Sequence, residues 1–420
     1  MGTKNVVVIG GGIWGLSTAY HLASSRQVGS VLLLERNHEL ADETTRQAAG
    51  QVGQLRGTRL MAEGVGYTLE LLSNFQQQTG HDPGFFRSGS LHLALNQQRL
   101  AAFVSQMPQA AKLGIDVRLA SDRLISQIAP SIDQSQIEGA IYLPNDGYVE
   151  SVQCAKAFAA AAKDCGAEIR LGTEVTGFEI RDQQLIAVLT NQGEIETSAA
   201  VITAGPWTRA VAELAAFSVP IQPIRLQQAR TVVDPEMPAE HPVVRIPDRS
   251  CYLRPEKGGY LYGFFDPDPL AIQLSSQPAG FRTKNIEPPL ELMEEARQRL
   301  EDLFPRLADL VIEEYRQGMV TCTPDSQYVV GPVLSVKGIW VGSGCGAMGV
   351  AGSAAVGRWL SRWIIEGDPG QDLTALRPDR FGDYGRDSKW ITDQARKACA
   401  NYYSLSKGRT YTNLAEQSDR

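Results

Sequence analysis

Three glycines near the start of the chain, Gly10, Gly12 and Gly15, stand in the spacing G-x-G-x-x-G. An acid, Glu35, follows about twenty residues on, which is the pattern of a dinucleotide site. One glycine makes a tight turn, one lets the backbone approach a pyrophosphate, and the third lets a helix lie against a strand, while the acid reaches a ribose hydroxyl. This chemistry needs particular elements around it. Residues 6–9 form an apolar run of strand character, and residues 13–24, opening on Ile13 and Trp14, repeat their apolar positions every three to four residues as a helix does. A second apolar run at 31–34 ends at Glu35 and Arg36. The predicted order is strand, turn, helix, strand, with the helix N-terminus offering free N–H groups to phosphates. A glycine-rich turn in some other α/β domain would explain the glycines and leave Glu35 without a role.

The 420 residues leave room for two domains with substantial cores. Charged residues are 21% and apolar residues 43%, the proportions of an ordinary globular protein. A net charge of −7 without blocks of like charge gives no basic face for nucleic acid. No apolar run approaches the roughly eighteen residues of a membrane span. Residues 6–9 are too short and too glycine-flanked for a signal-peptide core, and the nucleotide pattern starts at once, so a cytoplasmic chain without a cleaved leader is expected. The cysteines (Cys154, Cys165, Cys251, Cys322, Cys345 and Cys399) contain no C-x-x-C pair, and the histidines (His21, His38, His81, His92 and His241) show no ligand spacing. Neither a metal site nor a disulfide framework is expected.

Beyond Arg36, residues 44–51 read Thr-Thr-Arg-Gln-Ala-Ala-Gly-Gln. Small residues suit a backbone that passes close to a flat ligand, and equally a flexible loop. Residues 54–78 predict a helix interrupted near Gly64 and Gly66, residues 90–95 an alternating strand where the chain leaves the nucleotide domain, and 97–113 and 122–128 two further helices. An alanine-rich helix at 152–165 is capped by Gly166. Strands follow at 167–171, 174–181 and 185–190, and a buried strand from 200 stops at Gly205, beside Trp207. Residues 220–266 alternate as antiparallel strands do, with 252–255 and 259–263 as two arms of a hairpin. A charged amphipathic helix is predicted at 289–304. The glycines from Gly342 to Gly357 lead into a last helix at 354–366, a turn able to aim N–H groups at a negatively charged ring.

Residues 44–51, the Thr323-Pro324-Asp325 turn and the closing glycine loop together resemble the FAD-dependent amine and D-amino-acid oxidase family, and within it the dimethylglycine and sarcosine dehydrogenase branch. The resemblance spans about residues 5–405 and implies FAD, contacted also by Thr44, Thr45, Ala49, Gly50 and Gln51, by Val175, Gly205 and Trp207, and by Gly344, Gly346, Ala347, Met348, Gly349 and Val350. It implies noncovalent FAD, because Gln47 stands where that branch carries its flavin-linked histidine and Gly318 where monomeric sarcosine oxidases carry their cysteine. By the same resemblance Arg56 binds a substrate carboxylate, Tyr252 orients the substrate, and Arg254 and Tyr262 stand behind them; read from the residues alone, Arg56 is as well a surface arginine. Leu261 replaces the oxygen-activating lysine of sarcosine oxidases, Ala347 the carboxylate-binding arginine of glycine oxidases, and Gln227 a histidine of the dimethylglycine branch.

The fold implied is a two-domain α/β flavoprotein. A Rossmann-like FAD domain takes residues 1–85, 145–220 and 321–370, a discontinuous antiparallel-sheet substrate domain takes 86–144 and 221–320, and 371–420 form a helical tail with no room for the folate-binding extension of longer relatives. The implied reaction is oxidation of the C–N bond of an amino acid or N-methylated amino acid by hydride transfer to flavin N5, the imine then being hydrolysed by water. Electrons pass to oxygen or to a partner protein, and the alternatives are a flavin subunit of a heteromeric dehydrogenase and an NAD-dependent enzyme sharing the opening fold.

Overall fold

The computed structural model describes residues 4–238 and 240–404. Alternation dictates its central layer. In strands β1 (Asn5–Ile9) and β2 (Ser30–Leu34), Val6, Val8, Val31 and Leu33 enter one core, and Val7, Ile9, Leu32 and Leu34 enter another. Strands apolar on both faces must be covered on both, as parallel sheets are. β1 and β2 pair in parallel, flanked in parallel by Ala200–Ile202, Ile339–Ser343 and Glu168–Arg170, with Val329–Pro332 antiparallel at the edge. The helix α1 (Ile13–Ser25) packs with Ser151–Asp164 and Ser353–Glu366 on one face. A meander of Val175–Arg181, Gln184–Thr190 and Gly193–Glu196 shares the core on the other face.

The helix Arg59–Thr79 opens on Thr58, whose side chain accepts from the Met61 N–H, and runs unbroken through Gly64 and Gly66, against expectation. A Cβ on Gly64 would lie 2.9 Å from the Trp359 ring and 3.1 Å from Ala355. That glycine admits a close helix crossing and does not end the helix.

A second sheet of eight strands runs in the order Ile312–Cys322, Gln222–Thr231, Gly259–Phe264, Cys251–Glu256, Val243–Ile246, Ser90–Ala94, Gly139–Leu143, Arg118–Ala120. Its pairs are antiparallel except one: Val243–Ile246 lies parallel to Ser90–Ala94, which corrects the all-antiparallel expectation. One face is closed by a core that includes Met293, Ala296 and Leu300 of the helix Leu290–Glu301. The other face looks toward the parallel sheet. The described part of the tail includes the helix Ser388–Ala400, and residues 405–420 of the expected tail lie outside the described residues. The molecule is mixed α/β, as the sequence implies.

Candidate functional site

The three motif glycines are needed for three different reasons. Gly10 sits at φ +111°, and a Cβ there would come 2.6 Å from the Thr203 carbonyl oxygen. On Gly15 a Cβ would fall 1.9 Å from the oxygen of Gly10, so only glycine lets α1 lie against the turn. Around Gly12 the nearest atom to a Cβ is the Thr45 Oγ1, at 3.5 Å. Gly12 borders open space, at a helix N-terminus that no side chain of its own caps. Thr45 Oγ1 accepts from the Ile13 N–H at 3.2 Å. Glu35 ties the turn together by accepting from the N–H groups of Gly11 and Asn37, both at 2.7 Å. Burial raises its pKa, against the pull of those two bonds and of Arg36.

The open space is a cavity of about 630 Å³ reaching from this turn to the eight-stranded sheet. At one end it is lined by Gly10, Gly12, Ile13, Trp14, Glu35 and Arg36, with Val175, Gly205 and Trp207 beside them. The Arg36 guanidinium lies 3.9 Å over the Trp207 ring. Along its length run Thr44, Thr45, Ala49, Gly50 and Gln51, and toward the sheet stand Ala347, Gly349, Val350, Arg56 and Tyr252. Gly50 has φ +71°, and a Cβ on it would come 2.1 Å from the Val149 oxygen. Distant segments are bonded together here: the Trp14 indole N–H donates to the Gly349 carbonyl at 2.6 Å, and the Thr44 hydroxyl to that of Met319 at 2.8 Å.

The structure places six of the expected residues elsewhere. Gly15 is packed under the turn, and Gly344, at φ +73°, would press a Cβ to 2.7 Å from Thr323. Gly346 and Met348 line a smaller neighbouring cavity of about 190 Å³. Tyr262 is opposite Leu253, and both enter the core on the far face of the sheet. Strand pleating sends alternate residues to opposite faces, so Tyr252 and Tyr262 cannot share a site although both lie in one hairpin. Arg254 is on the cavity side but 1% exposed, with each nitrogen engaged: Nε donates to Ala49 O at 2.5 Å, Nη1 to Pro255 O at 2.7 Å and Nη2 to the Glu256 carboxylate at 2.6 Å. It holds the 44–51 loop in place and does not line the cavity. Gln227 likewise points away, bonded to the Phe264 carbonyl.

Register brings beside Tyr252 residues to which the sequence reading gave no role in the site. Gln228, Gly263, Tyr252, Arg245 and His92 are successive Cα partners across four neighbouring strand pairs, and directly opposed residues share a face. Gln228, Tyr252 and Arg245 line the main cavity. The signal for Arg245 was a charge inside the apolar run Val243-Val244-Arg245-Ile246; Phe265, which lines the cavity with Tyr402 and Tyr403, gave none. The Tyr402 ring stacks on Phe265 at 4.0 Å. Burial raises the pKa of the Tyr252 phenol, keeping it a neutral donor and acceptor.

Several polar atoms in the cavity wall have no partner within the protein. Gln51 Nε2, Gln228 Oε1 and Ser343 Oγ are buried without a hydrogen-bond partner, and buried polar atoms are ordinarily paired. Together with the space beside Gly12, they fit an elongated dinucleotide carrying a flat polar ring. Among the described residues no cluster suited to a metal ion occurs, and no helix is long and apolar enough to cross a membrane.

Comparison with known proteins points the same way. The family model "DAO: FAD dependent oxidoreductase" matches residues 5–363. 4-Methylaminobutanoate oxidase (formaldehyde-forming) of Paenarthrobacter nicotinovorans is 30% identical over 401 residues, covering 95% of this chain and 48% of its own. Human mitochondrial dimethylglycine dehydrogenase is 31% identical over 404 residues, covering 94% and 45%. The chain thus spans about half the length of the curated relatives it matches. The crystal structure of L-proline dehydrogenase from P. horikoshii superposes with a TM-score of 0.80 at 24% identity, over 90% of this chain and 98% of that one, a likeness of fold.

Proposed function

We propose, for a chain that belongs to the DAO family of FAD-dependent oxidoreductases, that its reaction is oxidation of a C–N bond in an amino acid or N-methylated amino acid. FAD, when bound, supplies a two-electron acceptor for hydride from the carbon next to nitrogen. The chain's own residues bind and orient. Gly12 and the start of α1 take the pyrophosphate, Glu35 the ribose, and Trp207 with Val175 flank the adenine end. The 44–51 loop and the segment from Ala347 to Val350 hold the flavin end, where helix and loop N–H groups favour negative charge. Arg56 pairs with the substrate carboxylate through a guanidinium fork, and the Tyr252 phenol fixes the reacting carbon. Phe265, Tyr402 and Tyr403 keep water from that end. The observation that carries the reading is one continuous cavity with Gly12 at one end and Arg56 and Tyr252 at the other.

The domain division belongs to this reading. It is supported by the six-stranded sheet, whose strands all come from the segments assigned to FAD, and by the eight-stranded sheet, drawn almost wholly from 86–144 and 221–320. A cytoplasmic location is supported by six free cysteines. Leu261, fully buried in the hairpin, favours a partner protein over oxygen as acceptor; turnover of the purified holoprotein with an artificial acceptor should exceed turnover with oxygen.

The test of the reaction is anaerobic. Bleaching of the flavin absorbance by some member of a panel of primary, secondary and tertiary amino acids is expected, and no bleaching by any would sink the assignment. Noncovalent attachment predicts that acid precipitation leaves all the yellow colour in the supernatant; colour retained in the pellet would reverse it. Gly263 offers a third check, since a Cβ there would come 2.4 Å from the Tyr252 hydroxyl. Gly263→Ala is expected to displace the phenol at a cost of about 1–3 kcal/mol and to lower kcat/KM about tenfold; an unchanged value would remove Tyr252 from the site.

A further inference from the structure

Arg245 is 7% exposed, lies beside Tyr252 in the strand register, and lines both the main cavity and its smaller neighbour. Arg56 lines both as well, so the two guanidiniums stand in the partition between the cavities. Among the described residues the side-chain partner recorded for Arg245 is a tyrosine and not a carboxylate, and its buried Nε has no hydrogen-bond partner. The Tyr402 phenol accepts from its side chain. The nearest acid that acts on it is Asp146, whose two oxygens are already engaged, one by the Gln54 N–H at 2.9 Å and the other by the Ser90 hydroxyl at 2.6 Å. His92, the next residue in the row, is kept neutral by burial and by both arginines.

Arg245 is thus left with one unfilled guanidinium edge in a buried wall, beside Arg56. A guanidinium presents Nε–H and one Nη–H in parallel, the spacing of the two oxygens of a carboxylate. We infer that Arg245 is a second carboxylate-binding residue, and that the substrate is an amino acid whose single carboxylate is gripped jointly by Arg245 and Arg56 at the partition. The inference rests on the main cavity being the substrate site. It adds a residue that the family resemblance did not supply and makes a free carboxylate a requirement of the substrate.

The test uses purified holoprotein titrated with acetate and with its neutral analogue acetamide, read by calorimetry and by perturbation of the flavin spectrum. Wild type is expected to bind acetate and not acetamide. Arg245→Gln is expected to raise the acetate Kd about 30-fold or more, the consequence of removing one partner of a buried charge pair. Arg245→Lys, which keeps the charge but loses the fork, is expected to weaken acetate about tenfold. Because both arginines hold one group, the losses in Arg56→Ala and Arg245→Gln should not add in the double variant. Acetate affinity in Arg245→Lys within about threefold of wild type, equal binding of acetamide, or additive losses would each overturn the inference. Amines without a carboxylate that bleach the flavin as fast as amino acids would overturn it, and the carboxylate role of Arg56 with it, while leaving oxidation of a C–N bond standing. Acetate binding that depends on Arg245 without bleaching by any amine would do the opposite.

Discussion

Gly12→Val is expected to fold normally and to hold FAD more weakly. The residue sits at φ −78° and ψ 175°, extended backbone open to any amino acid, and the nearest atom to its Cβ is 3.5 Å away. No strain or collision therefore penalises the folded chain. The added carbons enter the cavity where a pyrophosphate would lie against the start of α1. Overfilling a fitted site costs about 1–3 kcal/mol, equivalent to about 5- to 150-fold in FAD affinity. Gly15→Val is the contrasting variant, because its Cβ would fall 1.9 Å from the Gly10 oxygen and must force the helix off the turn. The expected pattern is a wild-type melting temperature for the apoprotein of Gly12→Val and a lowered one for Gly15→Val. The measurements are the FAD Kd of the reconstituted apoproteins and thermal melting of the apo forms; a wild-type FAD Kd in Gly12→Val would place the cofactor elsewhere.

Arg56→Ala should lose most of the affinity for a carboxylated substrate. Arg56 is 6% exposed and lines the cavity beyond the 44–51 loop, which removes the alternative of a solvated surface arginine. Charge-assisted hydrogen bonds to a buried carboxylate are worth about 1.5–3 kcal/mol each, so KM is expected to rise about 30-fold or more. Arg56→Lys should recover part of that, since a point charge replaces a fork. Steady-state KM and kcat for the best amino acid from the bleaching screen separate binding from chemistry. An unchanged KM in Arg56→Ala would mean that the carboxylate is held by other groups.

The nucleotide end was readable because its information is local. Gly10, Gly12, Gly15 and Glu35 sit within one strand-turn-helix-strand unit, and the steric demands on each glycine come from atoms of that unit or the strand beside it. The hairpin at 251–264 was equally readable as a hairpin. Which of its aromatics faces the cavity was not, because both faces of this sheet are buried and alternation alone does not say which face meets the cofactor. Tyr252 and Tyr262 are alike in sequence and opposite in space. The same ambiguity covers the arginines: Arg254 and Arg245 both interrupt buried strands, yet one is consumed by Ala49, Pro255 and Glu256 while the other keeps an open edge.

The sequence by itself determined the family, the dinucleotide turn and the order of elements, since these depend on spacings of a few residues and on the periods of helix and strand. Only the tertiary structure decided that Arg245 joins Arg56 and Tyr252, that Arg254 and Tyr262 do not, and that Gly64 closes a helix crossing. Those outcomes depend on strand register and on contacts between segments far apart along the chain, and neither is encoded in the residue types at any one place.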